Sequence, residues 1–341
     1  MANMEHANCT SPDDIATLTE IEVNLLNSGS QQEARKLLLA AESDGFFYLS
    51  LNSGCISGYA GRAIELLSNG EKYFQKPLIE KLRDKRAVET ETRTAGYKPI
   101  AIETGVGKDT KDGFEAFKVP VSEILDPRKS AQFQQFCSDV RSLRSFAIHS
   151  HSIANTIMAS LSKALELEDG TYLSRCHRID QPSSSSTVVN FYPSASLPRN
   201  SSAGHNAHTD LGSITILFCS TWGLQIYSDE RRRWLFVPPA PTKAIINIGD
   251  TLRFLAKNRI KSCLHRVIQH PKWAGSSRLS LAYFARPNSD TKFTDEEGTE
   301  WLVEDWVSRK FESYRETHAQ QRANWVQLGR KGFMGSISSN L

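Results

Sequence analysis

The sequence predicts a mainly β core with flanking helices, and three observations support this fold class. The chain has 341 residues, of which 39% are hydrophobic and 23% are charged, so it is long enough to bury a substantial core. Short runs rich in β-branched and aromatic residues follow one another between residues 187 and 284. Helical spacing of apolar residues dominates the first half and returns near the end. Many short strands broken by Gly, Pro and Asn turns favour a sandwich or jelly roll over a parallel α/β sheet.

Local signals delimit the elements near the start of the chain. Ser30 and Glu33 have the spacing of a capping box, and a stripe of apolar residues follows until Gly45. Pro77 terminates a second stretch of helical spacing. These signals predict a helix over residues 31–43, a strand over 46–49 and a helix over 59–74.

The middle of the chain contains one irregular stretch and one long helical stretch. Residues 84–120 carry many charges and little periodicity, which indicates an excursion over the surface or across an opening. Asp126 and Pro127 then supply an N-cap and a proline at the first helical position. Apolar residues keep helical spacing from Phe133 to Leu165, which predicts one long helix or two helices placed end to end.

The β region consists of eight predicted strands, at residues 187–192, 213–218, 224–227, 234–237, 244–248, 251–255, 262–267 and 278–284. Residues 300–327 are predicted to be helical again. The sequence shows no internal repeat and no linker that would divide it. We therefore expect one compact unit with three regions: a helical N-terminal region over 1–170, the β core over 171–290 and a C-terminal helical lid over 291–341.

Composition excludes several classes of protein. The net charge of +3, from 41 basic and 38 acidic side chains, is too balanced to predict a nucleic-acid or membrane partner. The sequence has no membrane-length apolar run, no signal-peptide pattern and only scattered cysteines. We expect a cytoplasmic protein that acts on a small molecule. The oligomeric state stays open, as does the question whether Ser339, Asn340 and Leu341 form a peroxisomal address.

Three potential metal donors lie in the β region. His208 and Asp210 are two residues apart, and in an extended chain such residues project to the same side. His265 lies within a predicted strand and supplies a third donor, whereas His270 is five residues further on and turns away. Two histidines and one carboxylate, with three positions left open, form the donor set of non-haem iron(II) oxygenases. His205 is expected in a loop near this site and not as a fourth ligand.

Two further polar pairs have the same spacing. Arg278 and Ser280 would point inward from the strand over residues 278–284, where a buried arginine requires an anion. A carboxylate would bind its planar fork, and the serine hydroxyl would add a hydrogen bond. Asn190 and Tyr192 offer polar groups from one face of another strand, although Tyr192 fits a core tyrosine equally well.

The order of these residues resembles that of iron(II)/2-oxoglutarate-dependent dioxygenases of the isopenicillin N synthase-like branch. The matching segments are His208-Thr209-Asp210, Asn247-Ile248-Gly249-Asp250, Lys261-Ser262-Cys263-Leu264-His265-Arg266-Val267 and Arg278-Leu279-Ser280. Asn190-Phe191-Tyr192-Pro193 is similar to the family's Asn-Tyr-Tyr-Pro segment, with Phe at its second position. The segment Gly45-Phe46-Phe47 resembles an N-terminal segment of the family, so the likeness extends from about residue 30 to 290.

The resemblance implies a double-stranded β-helix in which His208, Asp210 and His265 bind iron(II). It also implies that 2-oxoglutarate chelates the metal and that its 5-carboxylate meets the Arg278 and Ser280 pair, with the Asn190 and Tyr192 pair beside the co-substrate. Dioxygen would then convert 2-oxoglutarate to succinate and carbon dioxide, and an unactivated C–H bond of a small organic molecule would be oxidised. Hydroxylation, desaturation or ring rearrangement are all compatible with this chemistry, and a specialised metabolite is the expected substrate by family analogy.

Two alternatives stay open. An iron(II) oxidase of the same fold would use the Arg278 and Ser280 pair to grip the carboxylate of its own substrate, without 2-oxoglutarate. A zinc hydrolase would use the same three donors. The substrate-binding residues are unknown, but residues 84–120 and the tail helix around Trp301 and Trp306 are expected to close over the mouth of the barrel.

Overall fold

The described chain alternates between helices and strands before it enters the β core. The computed structural model describes residues 14–51, 58–84, 95–130, 133–137, 139–168, 170–194, 201–202, 204–270 and 275–329. Its strands are β1 (Glu20–Glu22), β2 (Phe46–Ser50), β3 (Gly96–Lys98), β4 (Lys111–Asp112), β5 (Glu115–Pro120), β6 (Ser186–Tyr192), β7 (Ser201–Ser202), β8 (Gly204–His208), β9 (Ile214–Cys219), β10 (Leu224–Ser228), β11 (Arg233–Phe236), β12 (Lys243–Ile248), β13 (His265–Ile268), β14 (Arg278–Ala285), β15 (Lys292–Thr294) and β16 (Glu300–Leu302). Its helices are α1 (Val23–Asn27), α2 (Gln31–Ser43), α3 (Tyr59–Phe74), α4 (Leu78–Lys81), α5 (Val121–Leu125), α6 (Pro127–Ser130), α7 (Val140–Ala164), α8 (Tyr172–Arg175), α9 (Asp250–Leu255), α10 (Val303–Ser313) and α11 (His318–Ala323). Among these residues no helix is both long enough and apolar enough to cross a bilayer.

Two sheets form the jelly-roll core. The large sheet has eight strands in the order β1-β2-β12-β9-β14-β6-β5-β3, and the small sheet has four in the order β11-β10-β13-β8. Every neighbouring pair in both sheets is antiparallel except β1 and β2. One cluster of buried apolar side chains contains residues of both sheets, including Leu224 and Val267 from the small sheet and Val188 and Ile245 from the large one. This arrangement confirms the predicted β core with flanking helices.

Helices α2, α3 and α7 cover the outer face of the large sheet. Alternation along β14 sends Leu281 and Tyr283 into the buried cluster that these helices share. Gly70 of α3 lies so close to β6 that an added Cβ would come within 2.7 Å of Val189. The hydroxyl of Tyr283 lies 3.2 Å from Nδ1 of His151 on α7. Leu281 and Tyr283 therefore face the helices.

The helices of the first half follow their sequence signals closely. Helix α3 has the predicted bounds, and the hydroxyl of Ser30 accepts a hydrogen bond from the amide of Glu33 to start α2. The carboxylate of Glu33 does not close the capping box, because it accepts from the amide of Glu22 at 2.7 Å. The predicted long helix starts at Val140, so the apolar residues near Phe133 belong to a separate turn.

Several predicted elements are wrong. Residues 251–255 form helix α9 and not a strand, because a run of five residues with three apolar side chains satisfies both patterns and the chain turns after Gly249. The stretch over 84–120 is not only a surface excursion, since its strands β3 and β5 extend the large sheet beside β6. Strand β8 was not predicted, and β13 begins at His265, three residues later than expected. Residues 339–341 lie outside the described residues.

Candidate active site

Three potential metal donors meet at the junction of β8 and β13. His208 ends β8, His265 begins β13, and these two residues are direct partners in the antiparallel ladder. Asp210 follows β8 by two residues, and its Oδ1 lies 3.6 Å from Nε2 of His208 and 3.7 Å from Nε2 of His265. All three donor atoms lie within 4.8 Å of one another. The fold thus brings together the three residues that the sequence pattern selected.

Backbone carbonyls fix the two imidazole rings. Nδ1 of His208 lies 2.7 Å from the carbonyl oxygen of Asn206, and Nδ1 of His265 lies 3.1 Å from that of Cys263. Since a carbonyl oxygen only accepts, each Nδ1 carries the proton and donates it. Nε2 of each ring is the atom that faces Asp210, and a histidine that donates from Nδ1 to a carbonyl while Nε2 faces the ion is a usual metal-binding arrangement.

The carboxylate of Asp210 is also held in one orientation. Its Oδ2 accepts from the Thr215 hydroxyl at 2.5 Å and from the Asn247 amide at 2.6 Å, so Oδ1 is left for the imidazoles. Burial alone raises the pKa of Asp210, but the neighbouring His265 and His208 and the Thr215 hydroxyl outweigh burial and hold this pKa well below its usual range. Asp210 is therefore an anion at neutral pH.

Burial favours the neutral form of His265 and His205. It lowers the pKa of His265 to about 4, with a further contribution from the nearby His208. His205 belongs to β8 and not to a loop, and its ring lies 4.2 Å from that of His208. Burial, followed by the proximity of His208, holds the pKa of His205 well below its usual value. Nε2 of His205 lies 3.8 Å from the Glu103 carboxylate, and this ring is not part of the donor cluster.

The donor set fits iron(II). Two imidazoles and one carboxylate, arranged around one point, leave further coordination positions for small ligands. A structural zinc site would instead close its tetrahedron with four protein ligands, and the described residues supply three here.

A buried guanidinium lies in the same cavity as the donors. Arg278 is 7% exposed, and its Nε and Nη1 have no hydrogen-bond partner among the described residues. Strand pairing places Arg278 opposite Tyr192 and Ser280 opposite Asn190, and Cζ of Arg278 lies 5.1 Å from the Tyr192 ring centroid. All four residues line a cavity of about 120 Å³ together with the three donors. A buried arginine with free donors fits an anionic ligand such as a carboxylate.

Several residues of this cavity escaped the sequence analysis. They are Glu103, Phe114, Lys118, Arg286, Phe311 and Tyr314. Lys118 could have been found from the alternation of β5, but its place beside the donors depends on the pairing of β5 with β6, which sequence spacing does not give.

The tail helix approaches the cavity through residues other than those predicted. Trp306 is fully buried and donates to the carbonyl of Leu211 at 3.1 Å, and it packs against Phe254. It therefore belongs to the core and not to the mouth. Phe311, near the end of α10, and Tyr314, which follows that helix, line the cavity instead.

Comparison with known proteins agrees with the site. Residues 183–287 match the model of the 2OG-Fe(II) oxygenase superfamily. The 2-oxoglutarate-dependent dioxygenase frbH of Dothideomycetidae sp. (strain 11243) is 34% identical over 322 residues, which cover 93% of this chain and 96% of frbH. Oxidoreductase vrtI of Penicillium aethiopicum is 35% identical over 324 residues, which cover 94% of this chain and 76% of vrtI. The crystal structure of a full-length Neurospora crassa protein in complex with alpha-KG superposes with a TM-score of 0.71 at 19% identity, covering 89% of this chain and 98% of that protein.

The jelly roll and its donor cluster define a non-haem iron oxygenase. The chain belongs to the 2OG-Fe(II) oxygenase superfamily, and it is a 2-oxoglutarate-dependent dioxygenase whose cofactors and co-substrates are iron(II), 2-oxoglutarate and dioxygen. The predicted family, fold and cofactors are confirmed.

Proposed function

We propose that this dioxygenase oxidises an unactivated C–H bond of a small organic molecule during the biosynthesis of a specialised metabolite. The size of the cavity, about 120 Å³ and enclosed mainly by apolar side chains, supports a small substrate over a macromolecule. The related proteins named above, frbH and vrtI, align with this chain along most of its length. Hydroxylation, desaturation and ring rearrangement all begin with the loss of the same hydrogen atom, so the proposal includes all three.

In this proposal His208, Asp210 and His265 hold the iron. When bound, the iron together with 2-oxoglutarate and dioxygen supplies an oxidant strong enough to remove a hydrogen atom from carbon. The chain's own contribution is orientation: the carbonyls behind the two imidazoles keep each Nε2 directed at the metal position. Thr215 and Asn247 keep one oxygen of Asp210 directed there as well.

Arg278 and Ser280 bind the distal carboxylate of 2-oxoglutarate. The observation that carries the proposal is that the donor cluster and this unpaired guanidinium face one small cavity. A dicarboxylate that reaches from the metal position to Arg278 satisfies both groups at once, which a monofunctional ligand does not. Asn190 and Tyr192 complete the polar edge next to this pair.

Apolar side chains keep water away from the reacting atoms. Phe46, Leu211, Leu217 and Leu224 line the cavity around the donors, and the first two are almost completely buried. Exclusion of water directs the oxidising power at the substrate and strengthens the electrostatic contacts of the site.

An anaerobic titration tests the proposal. Adding iron(II) and then 2-oxoglutarate to the metal-free protein should produce a visible charge-transfer band that saturates at one equivalent of each. His208→Ala and Asp210→Ala should give no band and no oxygen-dependent succinate, while circular dichroism shows them folded. Arg144→Ala, a change at an exposed position on α7, serves as the control and should behave like the wild type. A full band in either donor variant would contradict the assignment.

A further inference from the structure

Besides Arg278, two further cationic side chains line the active-site cavity, at a distance from Arg278. They are Lys118 of β5 and Arg286, which follows the last residue of β14. Arg278 and Arg286 are eight residues apart on one extended segment, so their Cα atoms are separated by roughly 26 Å at the usual rise of a strand. The two arginines therefore enter the cavity from opposite ends.

The guanidinium of Arg286 is only partly satisfied. The residue is 6% exposed, and its Nη1 donates to the carbonyl of Ser184. Its Nε has no partner among the residues that the structure describes. The rings of Phe284 and Phe311 flank it, with their centroids 5.4 and 5.5 Å from Cζ. A buried, flanked guanidinium with a free donor is costly unless an anion occupies the adjacent space.

Lys118 is likewise without a carboxylate partner. Its Nζ lies 5.7 Å from the Phe311 ring centroid, and within the described ranges no acidic oxygen forms an ion pair with it. Burial lowers the pKa of Lys118 to about 8, and the nearby Lys98 and Arg286 oppose the attraction of Glu103. Even so, the ammonium is mainly protonated at neutral pH.

The charges in this part of the cavity do not cancel. Lys98 forms an ion pair with Asp112, with its Nζ 2.5 Å from Oδ2. Glu103 acts on Lys118 and Asp210 acts on Arg286, so two carboxylates face these two cations. The proposed function commits Asp210 to the metal, which leaves Glu103 as the one carboxylate to balance both cations. In the proposed function Arg278 is already committed to 2-oxoglutarate, so the remaining positive charge is available to a second anion.

We propose that the primary substrate is a carboxylic acid with an apolar body, and that its carboxylate binds between Lys118 and Arg286. This inference rests on the proposed function and extends it to the substrate class. The fork of Arg286 matches a planar carboxylate, and the ammonium of Lys118 adds a second contact. Phe284, Phe311 and Tyr314 line the space around the two cations and pack against the apolar body. The carbon to be oxidised lies at the far end of the molecule, beside the metal donors.

Matched acids and amides test this assignment. The probes are 3-phenylpropionate, 4-phenylbutyrate and 5-phenylvalerate, each paired with its primary amide. They are titrated anaerobically into the protein loaded with iron(II) and 2-oxoglutarate, and the shift of the visible band reports binding. We expect at least one acid to bind at least tenfold more tightly than its amide. Lys118→Gln and Arg286→Gln should each remove most of this preference, whereas Lys129→Gln, at an exposed position of α6, should retain it.

Each outcome separates this inference from the proposed function. If no band forms in the wild type, the proposed function fails. If the band forms but every acid binds no better than its amide, only the carboxylate assignment fails. Retained acid preference in Lys118→Gln, which is folded by circular dichroism, also overturns the assignment. Loss of 2-oxoglutarate binding in either variant, with Arg278→Ala unaffected, would instead place the co-substrate at this end of the cavity.

Discussion

At the scale of single residues, Arg278 makes the sharpest prediction. Its guanidinium is buried with two free donor atoms, so the folded protein already bears the cost of removing this charge from water. We expect Arg278→Ala to weaken 2-oxoglutarate binding by about 2–5 kcal/mol, which is roughly thirtyfold or more. The anaerobic titration measures this change, and Ser280→Ala should show a smaller one. An unchanged affinity for 2-oxoglutarate in Arg278→Ala would contradict the proposal that Arg278 binds its distal carboxylate.

His177 predicts how stability depends on pH. Its Nδ1 donates to the carbonyl of Leu173, and the hydroxyl of Ser213 lies 2.6 Å from its Nε2. Burial lowers the pKa of His177 from 6.5 in the unfolded chain to about 4, against the opposing effect of the Leu173 carbonyl. Because the unfolded chain binds the proton more tightly, the contribution of this neutral histidine is complete above pH 6.5. It is lost progressively as the pH falls towards 4.

The loss amounts to about 3 kcal/mol over this window, at 1.36 kcal/mol per pKa unit. Urea unfolding of the metal-free protein at pH 7, 6, 5 and 4.5 measures it. His177→Gln keeps a polar group but does not titrate, so its free energy of unfolding should fall less steeply than that of the wild type. Parallel curves for the two proteins would show that His177 does not titrate with the predicted shift.

The sequence identified some site residues and not others for a physical reason. His208 and Asp210 share a local spacing, and Arg278 and Ser280 share a strand face, so their geometry is contained in a few consecutive residues. Lys118 comes beside them only through the ladder from β5 to β6 to β14. Such register between distant segments is set by packing of the whole sheet, which periodicity in one segment does not reveal.

At the scale of elements, a buried ion pair attaches the tail to the segment that carries His208 and Asp210. Lys310 of α10 is fully buried, and its Nζ donates to Asp250 Oδ2 at 2.7 Å and to Thr209 Oγ1 at 2.8 Å. The same ammonium donates to the carbonyl of Val326 at 2.5 Å, and the amide of Thr209 donates to the carbonyl of Gln327. One side chain thus joins α10, the segment after α11 and the residue between two proposed iron ligands.

Replacing this lysine should destabilise the protein strongly. Lys310→Met leaves Asp250 buried without its cation, so we expect a loss of about 3–5 kcal/mol in the free energy of unfolding. Lys292→Met removes an exposed ion pair at 3.6 Å and should change stability by about 0.5 kcal/mol or less. The double variant Lys310→Met/Asp250→Asn should be less destabilised than the sum of the single changes. Additive losses would show that the two residues are not coupled.

Element types were predictable where the pattern was long and failed where it was short. Helix α3 covers sixteen residues and has the predicted bounds, because a long amphipathic stripe distinguishes a period of 3.6 from one of 2. Helix α9 has six residues, of which five are buried. A run that is buried on nearly every side carries no period, so its helical form depends on the turn at Gly249 and on the packing beneath it.

At the scale of the whole molecule, the core is assembled from distant parts of the chain. Four strands of the N-terminal region, β1, β2, β3 and β5, lie in the same large sheet as β6, β9, β12 and β14. Strand β2 pairs with β12 about 200 residues later, and β5 pairs with β6. The boundary predicted near residue 170 therefore marks a change in local pattern, and the ladders that cross it join the two regions into one sheet.

This connectivity predicts a single cooperative unfolding transition. All six tryptophans lie at or beyond residue 222, so their fluorescence reports on the β core and the tail. Most helical residues lie before residue 170, in elements such as α2, α3 and α7, so ellipticity at 222 nm reports mainly on the N-terminal region. If these regions form one compact unit, both signals should give the same urea midpoint and the same slope. Lys310→Met should lower both midpoints together, although the mutated residue lies in the tail. Separated midpoints, or a shift confined to the tryptophan signal, would show that the tail and the N-terminal helices unfold independently.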